Sequence, residues 1–242
     1  MIDEGVPGFK SGFVTLVGRP NVGKSTLVNL LLEQKIAAVS HRPQTTRRKQ
    51  LGILTMDDAQ VIFMDTPGIH NPRHQLGEYM NQAALDTLDD ADVIIWVVDA
   101  SVKPDKGDVL CKEYMEAVSD LPPIVLALNK VDLASADVLA VNRSAYLELM
   151  PQSPPCQVSA ASGEGKDALL EDVLDRMPEG PLYYDKEQIT DLYEREIAAD
   201  LLREAALLHL DDEVPHCVAV RIDEYTERGE TGAYIGATIF VE

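Results

Sequence analysis

A glycine-rich run near the start of the chain has the residue types and the spacing that bind phosphate. Gly18, Gly23, Lys24 and Ser25 form the pattern G-x-x-x-x-G-K-S directly after the apolar residues 13–17. Glycines let backbone N–H groups turn toward phosphate oxygens, the lysine reaches the β- and γ-phosphates, and the serine hydroxyl ligates Mg²⁺. The following residues favour a helix, whose N-terminal dipole attracts anions. The flanking strand and helix patterns favour a nucleoside triphosphate site over a simple turn. The expected nucleotide contacts are Gly18, Arg19, Pro20, Asn21, Val22, Gly23, Lys24, Ser25 and Thr26.

A second motif places a carboxylate at the end of another predicted strand. Asp65, Thr66, Pro67 and Gly68 follow the apolar residues 61–64. The Asp65 carboxylate can hold Mg²⁺ through water, and Gly68 leaves a backbone N–H free to meet the γ-phosphate. A proline and a glycine after a strand often mark only a turn. Beside the phosphate loop, the same residues indicate the triphosphate end of the site.

A third motif, Asn129-Lys130-Val131-Asp132, supplies a reader for the base. The Asp132 carboxylate can accept hydrogen bonds from guanine N1–H and from its 2-amino group, and adenine offers neither donor. A site built for those donors rejects the base that lacks them by orders of magnitude. Asn129 would brace the loop and reach N7, and the Lys130 stem would lie along the base. The motif predicts guanine, against a helix-capping role for Asp132 or an ATP-dependent kinase or motor.

Two weaker signals depend on their position in the chain. Ser159, Ala160 and Ala161 follow the last strand-like run, where a backbone N–H could bind guanine O6. Thr45 and Thr46 lie in a polar stretch without helical or strand periodicity, and a threonine hydroxyl there could complete the Mg²⁺ shell only when the γ-phosphate is present. We prefer Thr46 to Thr45 as the Mg²⁺ ligand. The predicted Mg²⁺ ligands are thus Ser25, Thr46 and Asp65.

The net charge of the chain limits how it could bind nucleic acid. Its 242 residues carry a net charge of −20, which opposes coating a polyanion through bulk electrostatics. Residues 41–50 are the exception, because they contain Arg42, Arg47, Arg48 and Lys49 and no acidic residue. This stretch is either a solvated basic loop or a contact for phosphate or RNA.

Cysteines and apolar runs point to a cytoplasmic protein. Cys111, Cys156 and Cys217 are far apart and lack metal-ligand spacing, so we expect reduced thiols. The longest strongly apolar run, at residues 93–98, is too short to cross a bilayer, and the first residues do not resemble a secretory leader.

Strand-like and helical patterns alternate along most of the chain. The alternation predicts an α/β fold with a mainly parallel six-stranded sheet flanked by helices, and the motifs fall where strands end, at the edge that binds ligands. Two prolines and a glycine near residue 178 predict a domain boundary. We expect a nucleotide domain at 1–177, a linker at 178–188 and an incomplete helix-strand-strand domain at 189–242. The predicted strands are 13–17, 51–55, 61–64, 93–98, 124–128 and 156–158; the helices are 24–32, 82–88, 109–119, 137–149 and 166–176; the last region has apolar residues at helical spacing from 189 to 208 and alternating ones at 218–222 and 235–241.

The ordered motifs resemble those of the translation-factor-like GTPases, and their wording resembles the Era-type ribosome-assembly GTPases in particular. The narrower likeness rests on the motifs above and on two later segments, EGPLYY at 179–184 and DDEVPH at 211–216. Those two segments favour Era-type proteins over the sister Der-type GTPases. The resemblance covers almost the whole chain and implies a GTPase acting in small ribosomal subunit assembly through 16S rRNA.

The resemblance also implies a C-terminal KH domain and a peripheral association with the inner membrane. KH domains clamp RNA with a Gly-x-x-Gly loop after their second strand. The chain stops at Glu242, where that strand should end, and the Gly-x-x-Gly of its tail, at residues 229–232, lies before that strand and not after it. Residues 178–242 carry 5 basic and 16 acidic side chains. We expect a truncated KH domain, poor RNA binding by this route, and a monomer.

The same resemblance bears on hydrolysis. Ile69 stands where Ras-like enzymes have a water-orienting glutamine, so unaided hydrolysis should be slow. Relatives with an apolar residue here often use K⁺ held partly by the phosphate-loop asparagine, which is Asn21 in this chain. The expected catalytic residues are Lys24, Thr46, Gly68 and Asn21. The alternative functions are a GTP-dependent protein-interaction switch that does not bind RNA and a Der-like assembly GTPase.

Overall fold

The structure is a computed structural model that describes residues 8–39, 46, 48–72, 75–209, 218–229 and 232–241. Its larger part is a six-stranded sheet in the order β2-β3-β1-β4-β5-β6. Only β2 runs antiparallel to its neighbour, so the prediction of a mainly parallel sheet is confirmed. The strands are β1 (Lys10–Val17), β2 (Gln50–Thr55), β3 (Ala59–Asp65), β4 (Val93–Asp99), β5 (Ile124–Asn129) and β6 (Pro155–Gln157).

Helices cover both faces of this sheet because its central strands carry apolar residues on both sides. One face packs against α1 and α5, with Leu27 and Leu169 fully buried there. The other face packs against α2, α3 and α4, around Trp96. Strands buried on both faces are typical of parallel α/β sheets. The helices are α1 (Lys24–Leu32), α2 (Gln75–Asp89), α3 (Lys106–Glu116), α4 (Ala136–Leu149) and α5 (Lys166–Arg176).

The C-terminal region is a helix followed by two antiparallel strands, as its sequence pattern predicted. These are α6 (Glu194–His209), β7 (Ala219–Glu227) and β8 (Ala233–Phe240). Polar contacts join the helix to the first strand: Arg195 donates to the Ile222 carbonyl at 2.8 Å, and the Tyr225 hydroxyl donates to Glu194 at 2.7 Å.

The start of α6 differs from the helical pattern, which extended back to Ile189. In the structure, the Ile189 carbonyl accepts from the Ile53 amide at 2.8 Å, and Thr190 forms an antiparallel bridge with Gly52. The free edge of β2 offers backbone hydrogen bonds that a helix at 189–193 would not use. The preceding residues also pack on the sheet, since the Ser11 amide donates to the Pro178 carbonyl at 3.1 Å. The domain boundary near residue 178 stays a prediction.

Other element bounds differ from the prediction by one to seven residues, and the largest difference is at α2, which begins at Gln75 where the sequence predicted residue 82. The first strand begins at Lys10, three residues before the apolar run. Helix α3 begins at Lys106 because Asp105 caps it: the Asp105 carboxylate accepts from the amides of Gly107 and Asp108, and Asp108 returns a contact to the Asp105 amide. This reciprocal arrangement is a capping box. Within the described residues, no helix is both long enough and apolar enough to cross a bilayer.

Candidate functional site

The phosphate loop joins β1 to α1 through three residues in the left-handed region of backbone space. These are Gly18 with φ 157°, Asn21 with φ 64° and Gly23 with φ 101°. A side chain at Gly23 would collide with the Asn129 carboxamide. Glycine is therefore required at position 23 both by backbone conformation and by the approach of Asn129.

Lys24 lies inside this loop and is almost fully buried. Its ammonium donates to the carbonyls of Gly18 at 3.0 Å and Arg19 at 3.1 Å. Burial lowers the pKa of Lys24, and the nearby Asp65 carboxylate opposes this effect. The loop thus holds a desolvated amine beside the cavity where the sequence places the phosphates.

The three predicted Mg²⁺ ligands lie together at the start of α1. The Ser25 hydroxyl is 2.6 Å from Asp65 Oδ2 and 2.9 Å from the Thr46 hydroxyl, and Thr46 is 3.4 Å from the same carboxylate oxygen. Burial raises the pKa of Asp65, against the hydrogen bond from Ser25 and the charge of Lys24. Asp65 Oδ1 is buried and has no hydrogen-bond partner among the described residues. Two hydroxyls and a carboxylate with an unused oxygen form a donor set that suits Mg²⁺. Thr45 lies outside the described residues.

The segment after Asp65 packs against the phosphate loop. The Thr66 hydroxyl donates to the Leu16 carbonyl at 2.7 Å, and the Ile69 amide donates to the Gly18 carbonyl at 3.1 Å. A Cβ atom on Gly68 would lie 2.5 Å from the Pro20 nitrogen. Only glycine fits at position 68, so its backbone lies directly beside the loop. Pro67 is buried in the same turn.

The base-reading motif is tied to the phosphate loop by Asn129. Its carboxamide donates to the Val22 carbonyl at 2.8 Å and accepts from the Ala160 amide at 2.9 Å. The Ser159 hydroxyl donates to Asp132 Oδ1 at 2.5 Å. One buried side chain therefore holds three predicted motifs together, which requires β1, β5 and β6 to end at one edge of the sheet.

Two adjoining cavities contain most of the predicted site. They share Asn21, Gly23, Thr26 and Val39, so the phosphate end continues into the base end. The first is lined by Pro20, Asn21, Gly23, Lys24, Ser25, Thr26, Thr46, Thr66 and Gly68, and the second by Asn21, Gly23, Thr26, Asn129, Lys130, Asp132, Ala160 and Ala161, with a few neighbours in each. The arrangement can enclose a nucleotide along its length.

Sequence reasoning missed the carboxylates that anchor this site. Lys130 forms an ion pair with Asp99 at 2.7 Å, and Arg19 forms ion pairs with Asp108 at 2.9 Å and Asp105 at 2.6 Å. Asp99 could have been suspected, because it closes β4 at the same sheet edge as the motifs. The Asp105 and Asp108 contacts to Arg19 cross 86 and 89 residues, and no local sequence signal marks them.

The basic stretch contacts the C-terminal helix where it is described. Arg48 lies within ion-pair distance of Glu196 and Asp200 of α6. Lys49 is 3.9 Å from Asp90. Arg42 and Arg47 lie outside the described residues. Arg48 is thus occupied by acidic protein groups, and the choice between a solvated loop and an RNA contact stays open for the rest of the stretch.

Comparison with protein families and curated relatives identifies close similarities. A family model described as "50S ribosome-binding GTPase" matches residues 13–130. The chain is 44% identical over 234 residues to GTPase Era of Ruminiclostridium cellulolyticum, covering 97% of this chain and 78% of the relative. It is 45% identical to GTPase Era of Clostridium botulinum strain Loch Maree, covering 93% and 75%.

Solved structures give the same result for the fold. The crystal structure of Era in complex with MgGDPNP and nucleotides 1506–1542 of 16S ribosomal RNA matches with a TM-score of 0.89 and 33% identity. The match covers 97% of this chain and 80% of that one. A variant of Aquifex aeolicus Era bound to GDP and AlF₄⁻ matches with a TM-score of 0.88 and 33% identity, over 96% and 79% of the two chains.

Proposed function

Because this chain belongs to the Era family of GTPases, we propose that its GTP cycle serves assembly of the small ribosomal subunit through 16S rRNA. Members of this family hydrolyse GTP to GDP and phosphate, and so does this chain. The observation that carries the nucleotide assignment is Asn129, whose side chain joins the phosphate loop to the base-reading segments. The rRNA assignment rests on the Era complex with 16S rRNA, which aligns with nearly the whole chain.

We assign the two ends of the cleft to the two ends of GTP. Lys24 meets the β- and γ-phosphates, and the Gly68 amide meets the γ-phosphate. Asp132 accepts the N1–H and 2-amino hydrogen bonds of guanine, and Ser159 holds that carboxylate in place. Ala160 and Ala161 leave room for the base, because their side chains are small.

The residues that hold Mg²⁺ in this proposal are Ser25, Thr46 and Asp65. The unpartnered Asp65 Oδ1 supports this assignment, since a buried carboxylate oxygen without a partner is costly. When bound, Mg²⁺ neutralises charge that develops on the phosphate oxygens. Thr46 contributes its hydroxyl from the stretch before β2 and not from the phosphate loop. Its contact with Ser25 should therefore depend on the γ-phosphate more than the contacts within the loop do.

Selectivity for guanine is tested by exchanging Asp132. Asp132→Asn removes one acceptor and adds a donor, so GDP affinity should fall by about 10²-fold or more, and xanthosine diphosphate, which has a carbonyl at C2, should bind better than GDP. Competition against a fluorescent nucleotide measures both affinities. Asp137→Asn, an exposed position in the first turn of α4, is the matched control and should change neither. Displacement of GDP by ATP at comparable concentration would contradict the guanine assignment.

Hydrolysis in this chain proceeds without a glutamine after Gly68. Ile69 is buried and cannot orient water by hydrogen bonding. Asn21 lines the phosphate cavity beside Lys24, and its carboxamide oxygen is the type of ligand that K⁺ accepts. We expect replacement of Na⁺ by K⁺ to raise turnover, and Asn21→Ala to abolish the gain while nucleotide affinity is measured in parallel. Equal rates in the two salts would contradict this role.

The ribosomal assignment is tested by equilibrium binding to purified ribosomal subunits. The protein should bind the small subunit and a 16S rRNA 3′ fragment more tightly with a non-hydrolysable GTP analogue than with GDP. The large subunit belongs in the same experiment because the family description names it, and preference for it would overturn the proposal. Binding of protein partners without RNA would favour the alternative of a protein-interaction switch. Peripheral membrane association and a monomeric state remain predictions.

A further inference from the structure

A chain of polar contacts between buried and half-buried side chains links the phosphate loop to the base-reading loop. At the phosphate end, Arg19 Nε donates to Asp108 Oδ1 at 2.9 Å, and the Asp108 side chain is fully buried. The Arg19 carbonyl accepts from the Lys24 ammonium at 3.1 Å. The ion pair therefore fixes the peptide that holds the phosphate-binding lysine.

Helix α3 fixes Asp108 in turn. Asp108 Oδ2 accepts from the Asp105 amide at 2.9 Å in the capping box. A Cβ atom at Gly107 would lie 2.6 Å from Arg19 Cδ, so the absence of a side chain there lets Arg19 lie across the first turn. Burial raises the pKa of Asp108, while the Asp105 amide and the Arg19 charge oppose the rise. Among the contacts described, the Tyr146 hydroxyl also lies 3.5 Å from Asp108 Oδ2.

Tyr146 of α4 connects the two ends. Its fully buried hydroxyl lies 3.2 Å from the Asp99 carbonyl and 3.5 Å from Asp108 Oδ2, and it has one proton to donate between them. Burial and the Asp108 charge raise the pKa of Tyr146, which keeps the hydroxyl protonated as a donor. The link crosses from α3 to β4 through a side chain that no nucleotide motif contains.

At the base end, Asp99 holds the loop that carries the guanine reader. Its Oδ2 pairs with Lys130 at 2.7 Å, and its Oδ1 accepts from the amide and the hydroxyl of Ser101 at 3.0 and 2.6 Å. Burial by itself raises the pKa of Asp99. The contacts with Lys130 and Ser101 outweigh this effect and leave the pKa of Asp99 below its ordinary value. Lys130 itself adopts φ 65°, in the left-handed region that few non-glycine residues occupy.

Resting on the proposed nucleotide site, we propose that Asp99, Asp108 and Tyr146 are positioning residues that set the phosphate-binding and guanine-reading ends of the cleft in register. Asp108 acts through Arg19 on Lys24, Asp99 acts through Lys130 on the loop of Asp132, and Tyr146 couples the two. A site that contacts both ends of one ligand binds it more tightly when the two ends are already held at the matching distance.

Two comparisons of nucleotide affinity, GDP with IDP and GDP with GMP, test the two ends of the cleft separately. Inosine diphosphate lacks the 2-amino group that Asp132 reads, and GMP lacks the β-phosphate. In the wild type, GDP should bind more tightly than either. Tyr146→Phe keeps the ring and removes the hydroxyl, and it should lower both the GDP:IDP and the GDP:GMP affinity ratio by about threefold or more. Tyr114→Phe on α3 is the matched control, because the Tyr114 hydroxyl takes part in none of the network contacts described, and it should leave both ratios unchanged.

A double-mutant cycle tests the coupling itself. Arg19→Lys should lower mainly the GDP:GMP ratio, and Asp99→Asn mainly the GDP:IDP ratio. The two effects should be non-additive by about threefold in the wild-type background and additive once Tyr146 is Phe. If Tyr146→Phe does not fold, Asp99→Asn and its conservative partner Asp99→Glu carry the test, with partial rescue expected for Glu.

The alternative outcome is a purely structural role. A lower melting temperature for Tyr146→Phe with both affinity ratios unchanged would overturn the proposal and leave the proposed function intact. A wild type that distinguishes GDP from neither IDP nor GMP would overturn the proposed nucleotide site and this proposal with it.

Discussion

The nucleotide domain and the C-terminal segment are stabilised in different ways. In the six-stranded sheet, the apolar residues of β4 are fully buried between two layers of helices. In the β7–β8 pair, Ile239 remains 47% and Phe240 44% exposed. Ion pairs link α6 to the nucleotide domain, as between Lys35 and Glu204 at 2.8 Å. The six-stranded region is therefore stabilised by its own apolar core. The C-terminal segment depends strongly on polar contacts with that region.

Truncation of one core residue gives the largest contrast between the two regions. Phe63 of β3 is fully buried, so Phe63→Ala should lower the free energy of unfolding by about 3–5 kcal/mol. The chain has one tryptophan, Trp96, and it lies in the sheet. Its fluorescence during urea unfolding therefore reports on the nucleotide domain.

The matched control removes the same side chain from the other region. Phe240→Ala, on exposed β8, should change the Trp96 transition by no more than about 0.5 kcal/mol. Equal losses for the two variants would contradict the contrast, because they would show that the β7–β8 pair contributes to one common core.

The sequence predicted the six-stranded sheet well, for reasons that the structure makes clear. Each motif follows an apolar run, and the strands Val93–Asp99 and Ile124–Asn129 have nearly the predicted bounds. Parallel strands bring their ends to one edge, so motif order was enough to predict a shared site. The C-terminal region was harder to predict, because Ile189 has helical spacing but its carbonyl accepts a hydrogen bond from Ile53 at the edge of β2. Local periodicity does not contain information about an open strand edge elsewhere in the chain.

Contacts between distant charged residues could not be predicted for a similar reason. Arg19 and Lys130 belong to recognised motifs, yet their partners Asp108 and Asp99 do not. The chain has 41 acidic residues, and spacing alone does not select one as a partner. Asp108 becomes the partner of Arg19 because α3 packs beside the phosphate loop.

A smaller effect is expected where the linker meets the sheet. Gln60 is fully buried, and its Oε1 accepts from the amides of Tyr183 at 2.8 Å and Tyr184 at 3.0 Å. Gln60→Leu keeps a similar volume but leaves both amides without this partner, which should cost about 1–3 kcal/mol. Hydrogen exchange at the two tyrosine amides should accelerate.

Gln82→Leu is the control for this change, because Gln82 is exposed on α2 and bonds only within its helix, to Asp86 at 2.7 Å, among the contacts described. It should leave exchange at Tyr183 and Tyr184 unchanged. Unchanged exchange in Gln60→Leu would show that the linker is held by other contacts, and would reduce the difference between the two regions.

The smallest effect should arise at the ion pair between Arg48 and Glu196, which lie 2.5 Å apart at the surface. Exposed ion pairs contribute about 0.2–1 kcal/mol and weaken as salt is added. Arg48→Ala should therefore raise hydrogen exchange in the first turn of α6 at low ionic strength and have little effect at high ionic strength. The Trp96 unfolding transition should hardly move in either case.

A double-mutant cycle with Glu196→Gln separates the ion pair from other effects of Arg48. The matched cycle uses Lys112 and Glu116, a pair within α3 at 3.4 Å whose lysine is half-buried and whose glutamate is exposed, and it should not alter exchange in α6 at any salt concentration. Salt screens a surface contact but leaves a buried apolar contact nearly unchanged, so the salt dependence distinguishes the two means of attachment. A loss of protection in α6 that is independent of salt would mean that Arg48 holds the C-terminal segment through packing of its stem, and the segment would then resemble the nucleotide domain in its stabilisation.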